Sequence, residues 1–195
     1  MEYQVLFDDE ALIAVHKPCG VAAIPGRGMQ DFDSLLDRLS EQYGQRLFTV
    51  HRLDKDTSGV IVFAKTADAH RSLSMQFERR ETKKIYFAVV TGIISEPLHI
   101  NQPIYEFGSG RMGVDKRGKP SETLVSVKEI FSSATSLEVS PVTGRRHQIR
   151  VHLYWASHPV LGDTLYGSPR PVGNVARLML HAYQLGIRHP NGSNL

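Results

Sequence analysis

Two apolar, β-rich runs at residues 47–51 and 59–65 flank the polar loop Arg52-Leu53-Asp54-Lys55-Asp56-Thr57-Ser58. This pattern predicts two strands that hold a loop dense in charges and hydroxyl groups. A rigid scaffold of this kind commonly presents catalytic or binding side chains at a surface cleft. Taken by themselves, the same residues fit an ordinary polar hairpin with Asx and Ser/Thr turns at least as well.

The rest of the chain predicts several more strands and a few scattered helices. Apolar periodicity predicts helices over 33–43, over 67–80 after a Thr66 cap, and over about 146–156. Strand patterns cover 3–7, 11–16, 84–91, 122–130 and 135–140. Without repeats or linkers, the sequence predicts one α+β domain over 1–195, with a mixed, mostly antiparallel sheet flanked by helices and loops.

Composition narrows the class of protein further. The 195 residues are 41% hydrophobic, enough for one substantial core, and they contain no apolar run long enough to span a bilayer. The acidic N-terminal segment is unlike a secretory signal, and the single Cys19 excludes an internal disulfide. These features predict a cytoplasmic protein with no membrane partner.

Positive charge is locally concentrated although the net charge is only +3. The basic clusters are Arg79-Arg80 with Lys83-Lys84, then Arg111 with Lys116, Arg117 and Lys119, then Arg145-Arg146 with Arg150. Each cluster alone fits a solvated surface equally well. Together they favour a polyanionic partner, because Lys and Arg contacts to phosphate set affinity without reading sequence.

Five motifs, in order along the chain, carry a resemblance to a known family. His51-Arg52-Leu53-Asp54 followed by Thr57-Ser58-Gly59 resembles the signature of the RluA-type pseudouridine synthases. The other four are Lys17-Pro18-Cys19-Gly20 (Cys where the family has Ser), Lys84-Ile85-Tyr86-Phe87-Ala88 with Gly92, the segment Thr143–His152 with Pro159–Asp163 and Tyr166-Gly167, and Leu180-His181-Ala182 with His189-Pro190. They cover nearly the whole chain.

The resemblance implies an RNA pseudouridine synthase, an isomerase of the short form without an S4 RNA-binding module. Asp54 would be the nucleophile, attacking either the uracil ring or the ribose anomeric carbon. The covalent intermediate separates cleavage of the C–N bond from formation of the new C–C bond. The reaction needs no cofactor and no metal, and the target base must be flipped out of its stack.

Two more catalytic roles follow from the resemblance. Arg150 matches the arginine that pairs with the catalytic aspartate in relatives. A nearby cation lowers the pKa of a carboxylate and orients it. Tyr86 would stack on the target uracil and help remove its C5 proton. The alternatives are a phosphate-binding or surface-paired Arg150 and a buried core tyrosine at position 86.

Further residues are predicted to contact the substrate. Arg52, two positions before Asp54, would help hold the extruded nucleotide, and Ile149 would line the pocket beside the uracil. Contacts to the substrate are also predicted for His51, Thr57, Ser58, Arg145, His147 and Gln148. For all of these except His51, local loop or cap hydrogen bonds are an equally good interpretation.

Rival functions fit the residues less well. A kinase-like enzyme would need a Gly-rich phosphate loop and an Asp-Phe-Gly element besides His51–Asp54, and both are missing. A non-catalytic RNA-binding module predicts loss of Asp54, Tyr86 or Arg150, all of which are present. A glycosidase would use Asp54 with Asp56 across a sugar. No histidine pair has the i, i+4 spacing of a helical metal site such as His-Glu-x-x-His.

The resemblance narrows the RNA partner to structured ribosomal or transfer RNA. The loop Ile24-Pro25-Gly26-Arg27 and the missing S4 module most resemble short members that act on 23S ribosomal RNA, on the tRNA anticodon stem-loop, or on both. The glycine-rich, basic residues 104–120 are predicted to form a recognition loop. We expect a monomer, with a C-terminal edge shorter than in relatives that continue after the His189-Pro190 turn.

Overall fold

The computed structural model describes residues 3–26, 34–167 and 175–195. Up to Glu78 its elements are β1 (Gln4–Asp8), β2 (Leu12–Lys17), α1 (Leu35–Gln42), β3 (Phe48–Thr49), β4 (Ser58–Ala64) and α2 (Ala67–Glu78). The later elements are β5 (Lys83–Thr91), β6 (Leu98–Asn101), β7 (Ile104–Glu106), β8 (Met112–Val114), β9 (Glu122–Ile130), β10 (Ala134–Pro141), α3 (Gln148–Trp155) and β11 (Leu180–Gly186). One compact unit comprises the chain up to Lys83 with Ala182–Leu195, and the other comprises Lys84–His181.

The first unit is a small sheet in the order β1-β2-β4-β11. Strand β2 pairs antiparallel with β1 and β4, and the two-residue β3 also pairs antiparallel with β4. Helix α2 covers this sheet through an apolar cluster of Leu12, Ala14, Val62, Ala64, Ala69, Leu73 and Ile187. The loop that joins β3 to β4 therefore starts and ends on strands of a sheet that is packed against a helix.

Side-chain caps determine where the first two helices begin. The Ser34 hydroxyl accepts a hydrogen bond from the amide of Asp37 at 3.2 Å, completing a capping box, and Thr66 accepts one from the amide of Ala69 at 3.2 Å. The predicted helices over 33–43 and 67–80 are therefore confirmed, each ending one or two residues earlier. Residue 33 lies outside the described part of the chain.

The second unit is an antiparallel sheet in the order β5-β10-β9-β6, covered by α3. Ile149 and Leu153 of α3 pack on Ala88 and Val90 of β5 and on the neighbouring strands. The hairpin of β7 and β8 belongs to a second cluster, formed by Ile104, Met112, Val151 and Tyr166, with Val114 packed against it. Helix α3 therefore contributes residues to two separate apolar clusters.

The predicted α+β class with a mostly antiparallel sheet is confirmed, and the predicted strand 122–130 coincides with β9. The predicted strand over 47–51 is reduced to Phe48–Thr49. Four strands, β6, β7, β8 and β11, were not predicted from the sequence. Strands β6, β7 and β8 have only three or four residues each, too few to establish a period of two. The hairpin of β7 and β8 lies within residues 104–120, the stretch expected to be a loop.

Candidate active site

The loop between β3 and β4 carries Asp54 on a tight turn. The amide of Thr57 donates to the carbonyl oxygen of Asp54 at 3.1 Å, which closes the turn around Lys55 and Asp56. Leu53 is buried, whereas Arg52 is exposed and Asp54 is half-buried. This alternation is that of an extended backbone, in which residues 52 and 54 point to one side and residue 53 to the other.

Lys17, at the end of β2, connects this loop to the turn that follows β2. Its side chain is fully buried, and its ammonium group donates to the carbonyl oxygens of Pro18, Val21 and Lys55 at 2.9, 2.7 and 2.8 Å. Burial lowers the pKa of Lys17 to about 8, against the raising effect of the charges on Cys19, Asp56 and Asp54. The buried amine therefore organises the turn that presents Asp54, a role that sequence analysis did not assign.

Gly59 explains why the Thr-Ser-Gly segment follows the loop. Its φ is +120°, and an added Cβ would lie 2.1 Å from the carbonyl oxygen of Ala182. The backbones of β4 and β11 approach so closely here that only glycine fits. Glycine at this position is a signal that sequence reasoning can use, because it marks a close approach rather than flexibility.

Three residues predicted to contact substrate are integrated into the protein in the first unit. The Nε2 of His51 accepts from the amide of Val62 at 3.1 Å, and its ring stacks on Phe77 with centroids 4.6 Å apart. Thr57 and Ser58 are 2% and 4% exposed. Among the described residues the hydroxyl of Thr57 has no hydrogen-bond partner. The structure thus gives His51 a clear packing role and buries the two hydroxyl groups.

In the second unit, Tyr86 lies on β5 opposite Val139 of β10. It is half-buried and packs against the cluster that contains Ala88 and Val90, which are 1% and 0% exposed. These three residues are two positions apart on the strand and so share one face. Tyr86 is only partly buried in this cluster.

Arg150 forms a buried, two-pronged ion pair with Asp163. The Nε of Arg150 donates to Oδ2 at 2.7 Å and Nη2 donates to Oδ1 at 2.8 Å. The same carboxylate accepts from the amides of Leu165 and Tyr166 at 2.9 and 3.0 Å. Burial by itself would raise the pKa of the Asp163 carboxyl. The hydrogen bonds and charge of Arg150, together with the hydrogen bonds from the two amides, hold that pKa below its usual range.

This ion pair is the main site feature that sequence reasoning missed. Asp163 belongs to one of the matching motifs, yet nothing in the spacing of residues 150 and 163 indicates that they pair. The Arg150 guanidinium also lies 5.1 Å from the ring centroid of Tyr166. Arg150 is thereby held in one orientation by a carboxylate and an aromatic face.

Gln148, at the start of α3, uses its whole side-chain amide inside the protein. Its oxygen accepts from the Thr143 hydroxyl at 2.6 Å and from the Arg145 amide at 3.0 Å. Its nitrogen donates to the Glu122 carbonyl at 2.9 Å and the Thr123 hydroxyl at 3.0 Å. Two donors and two acceptors exhaust this group, so Gln148 acts by positioning the loop before α3.

The remaining predicted residues lie around the same helix start. His147 has a left-handed φ of 56°, and its Nδ1 lies 2.7 Å from the Tyr166 hydroxyl. The side chain of Arg145 donates to the Pro120 carbonyl at 3.3 and 3.4 Å. Ile149 is 6% exposed and packs in the core. Arg145 and His147 are half-buried, so part of each stays accessible.

The predicted residues thus fall into two local groups. His51, Arg52, Asp54, Thr57 and Ser58 lie together on the loop of the first unit. The second unit brings Arg145, His147, Gln148, Ile149 and Arg150 together at the start of α3, with Tyr86 on β5.

Across the described ranges, no three His, Cys, Asp or Glu side chains are grouped in a way that could hold a metal ion. None of the described helices is long and apolar enough to cross a membrane.

Comparison with known proteins decides the family. Residues 11–155 match the family model described as RNA pseudouridylate synthase. The chain belongs to this family. It is 39% identical over 187 residues to the dual-specificity RNA pseudouridine synthase RluA of Pasteurella multocida, covering 93% of this chain and 85% of that protein. The predicted resemblance to the RluA type is confirmed, and the protein is a pseudouridine synthase, an isomerase.

Other relatives extend this finding. The chain is 39% identical over 206 residues to ribosomal large subunit pseudouridine synthase D of Nitrosomonas europaea, covering 98% of this chain and 60% of that protein. The solved structure of human RNA pseudouridylate synthase domain containing 1 superposes with a TM-score of 0.82 at 27% identity, covering 96% of this chain and 79% of that one. The pseudouridine synthase fold is therefore shown independently of the motifs.

We expect Lys17→Met to lower the free energy of unfolding of this pseudouridine synthase by about 2–3 kcal/mol, because three carbonyl oxygens lose a charged donor. Urea unfolding followed by circular dichroism measures the change. The matched control is Lys55→Met, which removes an exposed lysine from the same loop and should cost no more than about 0.5 kcal/mol. Equal losses in the two variants would contradict a special role for Lys17.

Proposed function

We propose that this pseudouridine synthase isomerises uridine in structured RNA with Asp54 as its nucleophile. The observation that carries the proposal is how the Asp54 turn is held. The Thr57 amide donates to the carbonyl oxygen of Asp54, and the buried ammonium of Lys17 donates to the carbonyl oxygen of Lys55. A nucleophile that must attack in one direction benefits from a position set before the substrate arrives. Asp54 is also only partly buried, so part of it is accessible to a substrate.

The proposed reaction balances without any added oxidant or reductant. The glycosidic C–N bond breaks, the detached uracil turns, and a C–C bond forms between C5 and the anomeric carbon. The C5 proton is lost to a base and the ring nitrogen that left the sugar takes up a proton. Asp54 forms a covalent bond early and is released at the end.

The other proposed roles build on the contacts in the second unit. We assign Arg150 as the cation that orients the catalytic carboxylate and keeps it ionised, and Asp163 as the residue that positions Arg150. Tyr86 would stack on the uracil and assist removal of the C5 proton. Arg52, exposed beside Asp54, would support the flipped nucleotide, and His147 and Arg145 would contact RNA near the start of α3.

The names of the relatives support ribosomal and transfer RNA as candidate substrates. One relative is a dual-specificity RNA pseudouridine synthase and another is a ribosomal large subunit enzyme. We therefore propose 23S ribosomal RNA, the tRNA anticodon stem-loop, or both. RNA of this kind is recognised through unpaired loops and overall shape rather than by reading a duplex.

Tritium release from uridine labelled at C5 tests this proposal directly. We expect the purified protein to release tritium from bulk RNA, because the C5 proton is lost when the new C–C bond forms. Separate ribosomal and transfer RNA fractions, both prepared unmodified, show which class is used. Absence of release from both fractions by folded, RNA-binding protein would refute the proposal.

A further inference from the structure

The hairpin of β7 and β8 has two chemically different faces. On one face, Ile104, Met112 and Val114 join the apolar cluster with Val151 and Tyr166. On the other face, Tyr105 and Phe107 meet edge to face, with ring centroids 5.2 Å apart. Phe107 is 37% exposed. The inner face is packed within the protein, whereas the outer face carries two neighbouring aromatic rings that are partly exposed.

The Arg117 guanidinium lies over the ring of Tyr105 and near that of Phe107. Its guanidinium carbon is 4.4 Å from the centroid of Tyr105 and 5.9 Å from that of Phe107. Its Nε and Nη2 each donate to Asp115 at 2.9 Å, and these bonds hold the pKa of Asp115 at about 2. The side chain nevertheless remains 62% exposed. We call Tyr105, Phe107 and Arg117 the stacking platform.

Two glycines allow close packing within the hairpin that carries the platform. A Cβ on Gly113 would lie 2.8 Å from the ring of Phe107, so this ring rests directly on the strand opposite. A Cβ on Gly118 would lie 2.4 Å from the backbone of Ile104, where Ile104 and Lys119 exchange two backbone hydrogen bonds. A preformed surface loses little conformational entropy when it binds.

The segment that carries the platform is rich in exposed cations. Residues 104–120 contain four cationic side chains, Arg111, Lys116, Arg117 and Lys119, against two carboxylates, Glu106 and Asp115. Both carboxylates are already bound by arginines, Glu106 by Arg146 and Asp115 by Arg117. Phosphate groups of a polyanion that binds this segment would therefore meet the exposed side chains of Arg111, Lys116 and Lys119.

We propose that the stacking platform binds an unpaired nucleobase of the RNA substrate, at a position away from the target uridine. A flat base can stack on the open side of the Arg117 guanidinium, whose other side already lies on Tyr105. Single-stranded bases are recognised by stacking on aromatic rings and guanidinium planes, whereas bases within a duplex have their faces covered. The inference rests on the proposed function, because it names the part of the RNA substrate that this surface takes.

Binding of two RNA probes tests the platform. One probe is a stem-loop with 2-aminopurine in its unpaired loop, and the other is a fully paired duplex of the same length. We expect Arg117→Lys to weaken stem-loop binding at least about fivefold, because the charge stays but the stacking plane is lost. Duplex binding should stay within about twofold, since phosphate contacts are retained.

The chain offers a matched control at Arg46. Its guanidinium lies 5.5 Å from the ring of Phe48, so Arg46→Lys removes the same kind of contact elsewhere. We expect this variant to bind both probes like the wild type. Tyr105→Leu, a second test of the platform, should reproduce the effect of Arg117→Lys and remove the change in 2-aminopurine fluorescence on binding.

Each outcome separates this inference from the proposed reaction. Equal weakening of both probes, or unchanged binding in Arg117→Lys and Tyr105→Leu, would overturn the platform even if tritium release is intact. Selective loss of stem-loop binding would support it. Tritium release by the wild type is measured alongside, so that failure of the isomerisation is seen separately from failure of the platform.

Discussion

Asp54→Asn is expected to abolish tritium release, lowering turnover by about 10³-fold or more, while RNA binding stays within a few-fold. The amide has nearly the shape of the carboxylate but cannot form the covalent intermediate. The turn itself depends on the backbone of Asp54, whose carbonyl accepts from the Thr57 amide, so the loop should persist. Single-turnover tritium release and a separate binding titration measure the two quantities.

Asp56→Asn is the matched control for this experiment. It removes the same charge from the same loop at an exposed position. We expect its turnover to remain within a few-fold of the wild type. A comparable collapse in both variants would favour a reaction with two carboxylates, as in a glycosidase, and loss of RNA affinity in Asp54→Asn would mean that Asp54 is structural.

Removing either partner of the buried Arg150–Asp163 pair is expected to destabilise the fold by about 3–5 kcal/mol. Asp163 is 2% exposed and Arg150 is 5% exposed, so the remaining charge would be left buried without its partner. We also expect Arg150→Leu to reduce turnover almost as severely as Asp54→Asn. Thermal unfolding and tritium release, measured on the same preparations, report the two effects.

The double variant Arg150→Leu with Asp163→Leu separates structure from catalysis. Replacing both charges by apolar side chains should recover most of the lost stability, because no unpaired charge is buried. Turnover should not recover if Arg150 orients the catalytic carboxylate. A double variant that is both stable and active would show that Arg150 serves only the fold.

The pH dependence of the pair has a definite sign. The folded-state pKa of Asp163 is lowered, so its contribution to stability is complete above its unfolded pKa of about 4. The contribution is lost as the pH falls through the lower, folded-state pKa. We therefore expect the stability difference between wild type and double variant to be constant from about pH 5 to 8 and to change only below about pH 4.

Local patterns allowed much of the fold to be predicted. Helices α1 and α2 follow from apolar spacing and from the Ser34 and Thr66 caps, which act within three residues along the chain. Strands β4, β5, β9 and β10 are long enough for their apolar patterns to be recognised. Strands β6, β7 and β8 were missed, because three or four residues carry too little pattern, and β6 also depends on pairing with β9 further along the chain.

The predicted site residues divide in the same way. Asp54 and Arg52 were predicted from a motif within one loop, and in the structure Asp54 is half-buried and Arg52 is exposed. Gln148 and Ile149 belong to a motif as well, yet one has all its hydrogen bonds satisfied within the protein and the other packs in the core. Motif membership therefore does not by itself separate accessible residues from those whose side chains are used within the protein.

The sequence by itself determined the family, the order of the main elements and the identity of the candidate nucleophile, since each is written in neighbouring residues. Only the tertiary structure decided that Lys17 is buried among three carbonyl oxygens, that Asp163 holds Arg150, and that Arg117 covers an aromatic pair. Burial and pairing depend on which distant segments the fold brings within a few ångströms. A linear pattern carries no measure of that distance, whereas hydrogen bonds and ion pairs depend on it directly.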